Sequence, residues 1–403
     1  MEHRWLRRRW WRVVGLLGLV VVLGWQGLRP ASSPGEAARG LAPGAAAASS
    51  QTGAPTGPVA SAVASAAASA VVGGSVVETP SSRSEIVIAG ERIPPEGFEI
   101  CGVGRVSADE IRRASENPGS VASWQGELAQ LTLRGDAALA RMAARLAAGS
   151  DRQQVAARLM MGDVNGAALL ASPSADPVAY QLALTACAPG RTSAEWPGCR
   201  GLSVQRWAEL DPSDARPWIG MLDAARQRGD EAAIDAVLAG VVARSKLSRG
   251  EWLLESELAA VIETETDIAA RGQALVKVIG IDAATVNLGF LNLMRACDSK
   301  LPAHARRLPL CRAAARQLLA ASSNLMEALT AQRLADQMGV TKSEQAFDAA
   351  TLKAAREAYS GSGSAEMGYD CPSFVKWTGF SRERAEKGEL AMALSLLSQR
   401  QGH

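Results

Sequence analysis

Six cysteines, three histidines and one dense run of carboxylates are the groups in this sequence suited to catalysis or metal binding. The histidines are His3, His304 and His403. His3 falls in a basic N-terminal stretch and His403 is the last residue, so a nucleophile–histidine device would rest on His304 alone. His304 lies in PAHARRLP beside Arg306 and Arg307, whose charge disfavours a protonated imidazole; a solvated surface position is expected. The carboxylates Glu255, Glu257, Glu263, Glu265 and Asp267 crowd into LESELAAVIETETD. Two acids at the right separation can do acid–base work on a glycan. Against that, Asp267 and Arg271 have the spacing of a surface ion pair, and Glu263 and Asp267 fall on one helical stripe. A solvated acidic face is therefore expected. Arg306, Arg307, Arg312 and Arg316 form a similar basic stripe, expected to be solvated rather than a phosphate-binding patch. No C-x-x-C, H-E-x-x-H, EF-hand loop, P-loop or G-x-S-x-G occurs, and Gly102 and Gly104 lack the rest of a phosphate loop. With those spacings missing, no metal and no organic cofactor is expected.

The groups that do chemistry elsewhere must be positioned by the elements around them, and the first of these is a membrane segment. Val13–Leu28 reads VVGLLGLVVVLGWQGL, uncharged throughout, with Trp10 and Trp11 before it and Trp25 near its end, where aromatic rings suit the headgroup layer. Arg4, Arg7, Arg8, Arg9 and Arg12 precede it and Arg29 follows. This bias puts the N-terminus in the cytoplasm and the body outside it, with inner-membrane lipid as the partner of residues 13–28. A cleaved secretory signal shares this pattern, but Arg29 and Pro30 spoil the nearest cleavage sites; either reading exports the body. The chain's net charge is +2, and the first 29 residues carry most of the excess arginine, so the remainder is net acidic. That argues against nucleic acid as a partner.

Residues 30–84 are mostly Ala, Gly, Ser, Pro, Thr and Val, with no aromatic residue and no charged one between Gly40 and Val77. Such a stretch cannot bury enough apolar area to offset its ordering entropy, so a disordered tether is expected. A coil of about 55 residues spans roughly 40 Å. Residues 85–106 suggest short strands around a Pro-rich turn. From 107 to 403 the pattern is helical. SADEIRRASEN opens with a Ser/Asp cap; Val121–Leu133 and Ala137–Ala148 read as two helices around an Arg134-Gly135-Asp136 turn. Gln153–Met161 and a helix opening at Pro177 follow. Further on, Glu251–Glu263, Ile281–Cys297, Leu308–Ser322, Leu325–Met338, Glu344–Tyr359 and Arg382–Ser398 all read as amphipathic helices. The expected fold is all-α, an array of antiparallel helical hairpins behind one N-terminal transmembrane helix and a short strand-like segment. Trp207, Trp218 and Trp252 recur in it and are expected to pack at helix crossings.

Gln205–Val242 carries Asp211-Pro212, Trp218 three positions after Ala215, then Gly229-Asp230 and Ala233-Ile234. In these features it resembles a tetratricopeptide-type helical hairpin, over about one repeat. The resemblance implies that Asp-Pro closes one hairpin, Gly-Asp makes the inner turn, and the Trp packs against its neighbouring helix. One residue is missing between Gly-Asp and Ala-Ile, and Asp176-Pro177 only echoes the start of a second copy.

The cysteines are Cys101, Cys187, Cys199, Cys297, Cys311 and Cys371, all beyond the membrane segment. Disulfides persist outside the cytoplasm. Cys187 and Cys199 flank a helix-to-helix connection, and Cys297 and Cys311 flank another containing Pro302, so each pair would staple neighbouring helix ends. Cys101 and Cys371 remain to join the start of the body to its last helical segment. The alternative is six buried free thiols. The expected function is a non-enzymatic envelope interaction or scaffold module with another envelope protein as partner. An envelope glycan-modifying enzyme using carboxylates in 255–267, or a ligand-sensing regulatory domain, are the alternatives.

Overall fold

A computed structural model describes residues 86–88, 91–93, 96–116, 123–187, 196–284, 289–363 and 368–401. The expected anchor at 13–28, the basic tip before it and the tether at 30–84 lie outside the described residues. The described chain is mostly helical, as its alanine- and leucine-rich composition favours. It divides into two units, 1–98 with 106–122, and 99–105 with 123–403.

In the first unit, β1 (Ile86–Ile88) pairs antiparallel with β2 (Glu91–Ile93), Ile86 opposite Ile93. Helix α1 (Ala108–Glu116) begins at a capping box: Glu110 accepts from the Ser107 amide at 2.9 Å, and the Ser107 hydroxyl accepts from the Glu110 amide at 3.2 Å. A second short pair, β3 (Phe98–Ile100) and β4 (Gly104–Val106), stands at the division between the units.

The second unit starts with α2 (Ser123–Leu146), one unbroken helix. The turn expected at Arg134-Gly135-Asp136 is not there. A Cβ on Gly135 would stand 2.6 Å from the Cβ of Gln273, so this glycine serves close helix contact, not chain reversal. Then follow α3 (Asp151–Met160), α4 (Val164–Ala171) and α5 (Pro177–Ala186), capped by Ser150, Asp163 and Asp176 respectively. Sequence periodicity misses α4, which is a bare two turns containing Gly166. Helices α6 (Val204–Leu210), α7 (Arg216–Gln227) and α8 (Glu231–Val242) cover the segment resembling a tetratricopeptide hairpin. Gly229 at φ 63° and the Asp230 cap make the turn between α7 and α8. Trp218 lies so close to Gly240 that a Cβ there would stand 1.9 Å from the indole.

The remaining helices are α9 (Leu253–Ala259), α10 (Ile268–Ala284), α11 (Gly289–Ala296), α12 (His304–Ala321), α13 (Leu325–Gln337), α14 (Ala349–Gly363), α15 (Cys371–Lys387) and α16 (Glu389–Gln401). The single helix expected at Glu251–Glu263 is the short α9 plus a 3-10 turn at Ile262–Thr264, and Asp267 opens the separate α10. The helix expected at Arg382–Ser398 is split by Gly388 at φ 84° into α15 and α16.

Apolar side chains collect into two clusters. One joins α2, α3, α4 and α5 to α9 and α10 through Leu139, Met142, Val155, Leu258 and Leu275. The other joins α7, α8, α11, α12, α13, α14 and α16 through Leu222, Leu238, Leu318, Leu334 and Leu390. Pairs close in sequence pack together, α3 on α4, α7 on α8 and α12 on α13. So do pairs far apart, α2 on α10 and α9 on α15. Residues Ile268–Ala296 are long and apolar enough to cross a membrane by length and composition, but Ala270, Ala274, Leu275 and Val278 of this stretch are core residues.

Three disulfides tie the unit together. Cys187 at the end of α5 bonds Cys199 in a 3-10 turn, and Cys297 just after α11 bonds Cys311 in α12. Cys101 bonds Cys371, the first residue of α15, 270 positions on, and its amide donates to the Tyr369 carbonyl at 2.8 Å. No cysteine among the described residues is free, and bonded cysteines fit an oxidising compartment. A cross-link over so long a loop chiefly restricts the unfolded chain. Replacing Cys101 and Cys371 by serine together is expected to lower the unfolding free energy by about 3–5 kcal/mol, read from urea titration of the full-length protein. A loss below about 1 kcal/mol would show that the bond constrains little.

Candidate functional site

The carboxylates of 255–267 do not form a solvated acidic face. Each is drawn to a different cation. Glu255 is 1% exposed, and both its oxygens accept from one guanidinium nitrogen of Arg384 of α15. Glu257 pairs with Arg152 at 2.7 Å, and its burial, partly offset by that arginine, raises its pKa. Arg271 pairs with Glu263 at 2.9 Å, not with Asp267. Glu265 pairs with Arg141; burial pushes its pKa up, but the Arg141 hydrogen bond and charge together with the Asp267 amide hold it below the ordinary value. Asp267 caps α10 through the amides of Ala269 and Ala270 and meets Arg134 at 3.2 Å. Spacing along one imagined helix suggested a shared stripe; the break at Val261–Asp267 sends these side chains in different directions.

The basic stripe is likewise neutralised. Arg307 is 1% exposed, held by Asp235 at 2.6 Å and by Glu231, where a solvated arginine was expected. Arg306 meets Asp235, Arg316 meets Glu344, and Arg312 donates to the Gly339 carbonyl. His304 is half-buried at the first residue of α12.

A buried polar cluster lies where the chain passes from one apolar cluster to the other, at the turn 248–252 before α9. Arg384 is its centre. Besides Glu255, it donates to the Tyr359 hydroxyl at 3.0 Å and lies under the Trp252 indole at 4.0 Å. Ser381 also donates to Glu255. Burial works against the Arg384 charge, but Glu255 and Tyr359 together more than offset it and the pKa is raised. Burial likewise pushes the Tyr359 hydroxyl up. Trp252 has φ 59° and ψ 31°, and is the only non-glycine residue with positive φ among the described residues. A bulky side chain in that conformation costs about 1–3 kcal/mol. Its indole N–H donates to Glu389 at 3.3 Å.

Beside this runs a second buried pair. Arg216 of α7, 2% exposed, meets Glu327 of α13 at 2.7 Å and donates to the Ser248 carbonyl at 2.8 Å. Gly250 is obligatory there, since a Cβ would stand 2.1 Å from the Arg216 guanidinium. Asp282 of α10 supplies the missing cap of α9, accepting from the amides of Leu254 at 3.2 Å and Glu255 at 2.8 Å. Its own burial raises its pKa to about 7, against the pull of those amides. Arg249, Glu251, Trp252, Asn324, Arg384 and Glu389 line a small cavity of about 10 Å³ within the cluster. A shallower recess of about 240 Å³ lies between Arg312, Arg316 and Glu344.

Nothing in the sequence spacing unites Arg216, Trp252, Glu255, Asp282, Glu327, Arg384 and Glu389. The one local signal was Glu255 itself; its partner stands 129 positions away. Known protein families, curated proteins and solved structures were compared with the chain, and none matches it.

Breaking a buried ion pair from one side strands the other charge. Arg384→Met is therefore expected to destabilise the protein by about 3–5 kcal/mol, whereas Arg384→Met with Glu255→Leu recovers most of that loss. Urea unfolding of both variants checks it. A double variant no better than the single would show that Arg384 acts through Trp252 and Tyr359 rather than Glu255.

Proposed function

We propose that this chain is a non-enzymatic interaction module of the bacterial cell envelope. In this reading residues 13–28 anchor it in the inner membrane with the N-terminus in the cytoplasm. The tether at 30–84 lets the helical body reach a second envelope protein outside. Packing of consecutive helices such as α7 on α8 and α12 on α13 supports an array of hairpins as the binding scaffold.

The observation that carries the reading is how the acids of 255–267 are used. Glu255, Glu257, Glu263 and Glu265 each answer to a different arginine, and Asp267 caps a helix. A glycan-cleaving pair needs two acids facing one bond from opposite sides. The cavity lined by Arg384, the partner of Glu255, has room for about one water molecule, far from a sugar. The disulfides support an extracytoplasmic body.

Photocrosslinking residues placed at the exposed Leu169 and Met326 in intact cells test this. They are expected to capture a discrete envelope protein, and a reporter fused after His403 is expected to be active only outside the cytoplasm. Glycan hydrolysis by the purified full-length protein, abolished by Glu257→Gln, would overturn the reading. A reporter active only in the cytoplasm would overturn its topology.

A further inference from the structure

The turn 248–252 gathers more acid than base. Glu251 is half-buried. Facing it are Glu389 from α16, Glu327 from α13, Asp282 from α10 and Arg216 from α7. Arg249 on its own turn and Arg384 from α15 share the cavity wall with it. The cations are already engaged. Arg384 holds Glu255, and Arg216 holds Glu327. Arg249 donates to the carbonyls of Ala385 and Glu386 at the end of α15. No arginine of the cluster is left over for Glu251.

Two residues of the cavity wall carry a donor without a partner. Asn324 Nδ2 and Arg384 Nε have no hydrogen-bond partner among the described residues, and the two side chains are 2% and 8% exposed. The space suits a single water that accepts from these donors and donates to a carboxyl. Across it, the turn is fastened by few bonds: Trp252 to Glu389 at the start of α16, and Arg249 to the carbonyls of Ala385 and Glu386 just before it. The fastening holds Trp252 in its left-handed conformation.

We propose that this cavity is the seat of a proton-operated latch. With Glu251 protonated the turn stays closed on the start of α16, and loss of that proton loosens it. The direction follows from the groups around Glu251. Burial first, and the Glu389 carboxyl second, push its pKa up from 4.5 to about 8. Glu389 is itself raised by burial, with the Trp252 indole and Arg384 pulling the other way. In the open turn Glu251 meets water and titrates in the ordinary carboxylate range. The closed form thus keeps a proton that the open form has released. Its advantage is complete below about pH 4.5, shrinks as pH rises, and levels off above about pH 8. Opening also lets Trp252 leave the left-handed region, so strain and charge repulsion act in the same sense.

Hydrogen exchange of the full-length protein, corrected for intrinsic rates and followed from about pH 5.5 to about pH 8.5, tests the latch. In segments 248–256 and 388–394 the opening equilibrium is expected to rise by up to about tenfold per pH unit until about pH 8. Helix α3, outside the cluster, is expected not to follow. Glu251→Gln, which mimics the protonated side chain, is expected to remove at least about tenfold of that rise. Glu389→Gln removes the repelling neighbour and is expected to move the upper limit of the transition to lower pH. A wild-type protein whose two segments open equally at all pH values would overturn the proposal. So would a Glu251→Gln variant that tracks the wild type. If Glu251→Gln does not fold, Glu389→Gln decides, and an unmoved transition overturns the proposal.

Discussion

A guanidinium that leaves water must take a counter-charge with it, and the arrangement of the second unit follows from where Arg384 found one. Glu255 sits on α9, whose Leu254 and Leu258 belong to the apolar cluster built on α2, α3 and α10. Tyr359 sits on α14, among the helices of the other cluster. Arg384 bonds to both. The pair Arg216–Glu327 joins α7 to α13 inside the second cluster and pins Ser248. Two apolar clusters by themselves would be free to slide, since burial of leucine is not directional. Charge pairs with hydrogen-bond geometry set one register, at the cost of desolvating every group involved.

The same constraint explains the odd local features. α9 has only seven residues and no side-chain cap from Trp252 before it, so Asp282 on the next helix supplies one. Gly250 is small because Arg216 passes beside it. Trp252 is bent into a left-handed conformation so that its ring covers Arg384 and its N–H reaches Glu389. Acid outnumbers base in the cluster, and the excess is carried as raised carboxyl pKa values in place of further ion pairs.

Much of the helical character was legible because it is local. Asp176 before Pro177, Asn324 before Leu325 and Ser107 with Glu110 mark helix starts that the structure places there. Helix ends also put Cys187 near Cys199 and Cys297 near Cys311, leaving Cys101 for Cys371. Where glycine had two uses, the sequence was ambiguous. Gly135 reads as a turn but serves close packing against α10, whereas Gly388 divides what reads as one helix. The polar cluster was not legible at all. Acids between Glu255 and Asp267 look like one solvated face when placed on one helix. Except for Arg271, eight positions from Glu263, their partners lie on α2, α3 and α15, and no periodicity announces a contact across more than a hundred residues.

If the ionic cluster couples the two apolar clusters, the second unit must melt as one. Calorimetry of the wild-type protein and the Arg384→Met variant tests that coupling directly. The account predicts a single wild-type transition whose calorimetric and van't Hoff enthalpies agree, and two resolved transitions in the variant. Two transitions in the wild type, or one undivided transition in both proteins, would contradict it.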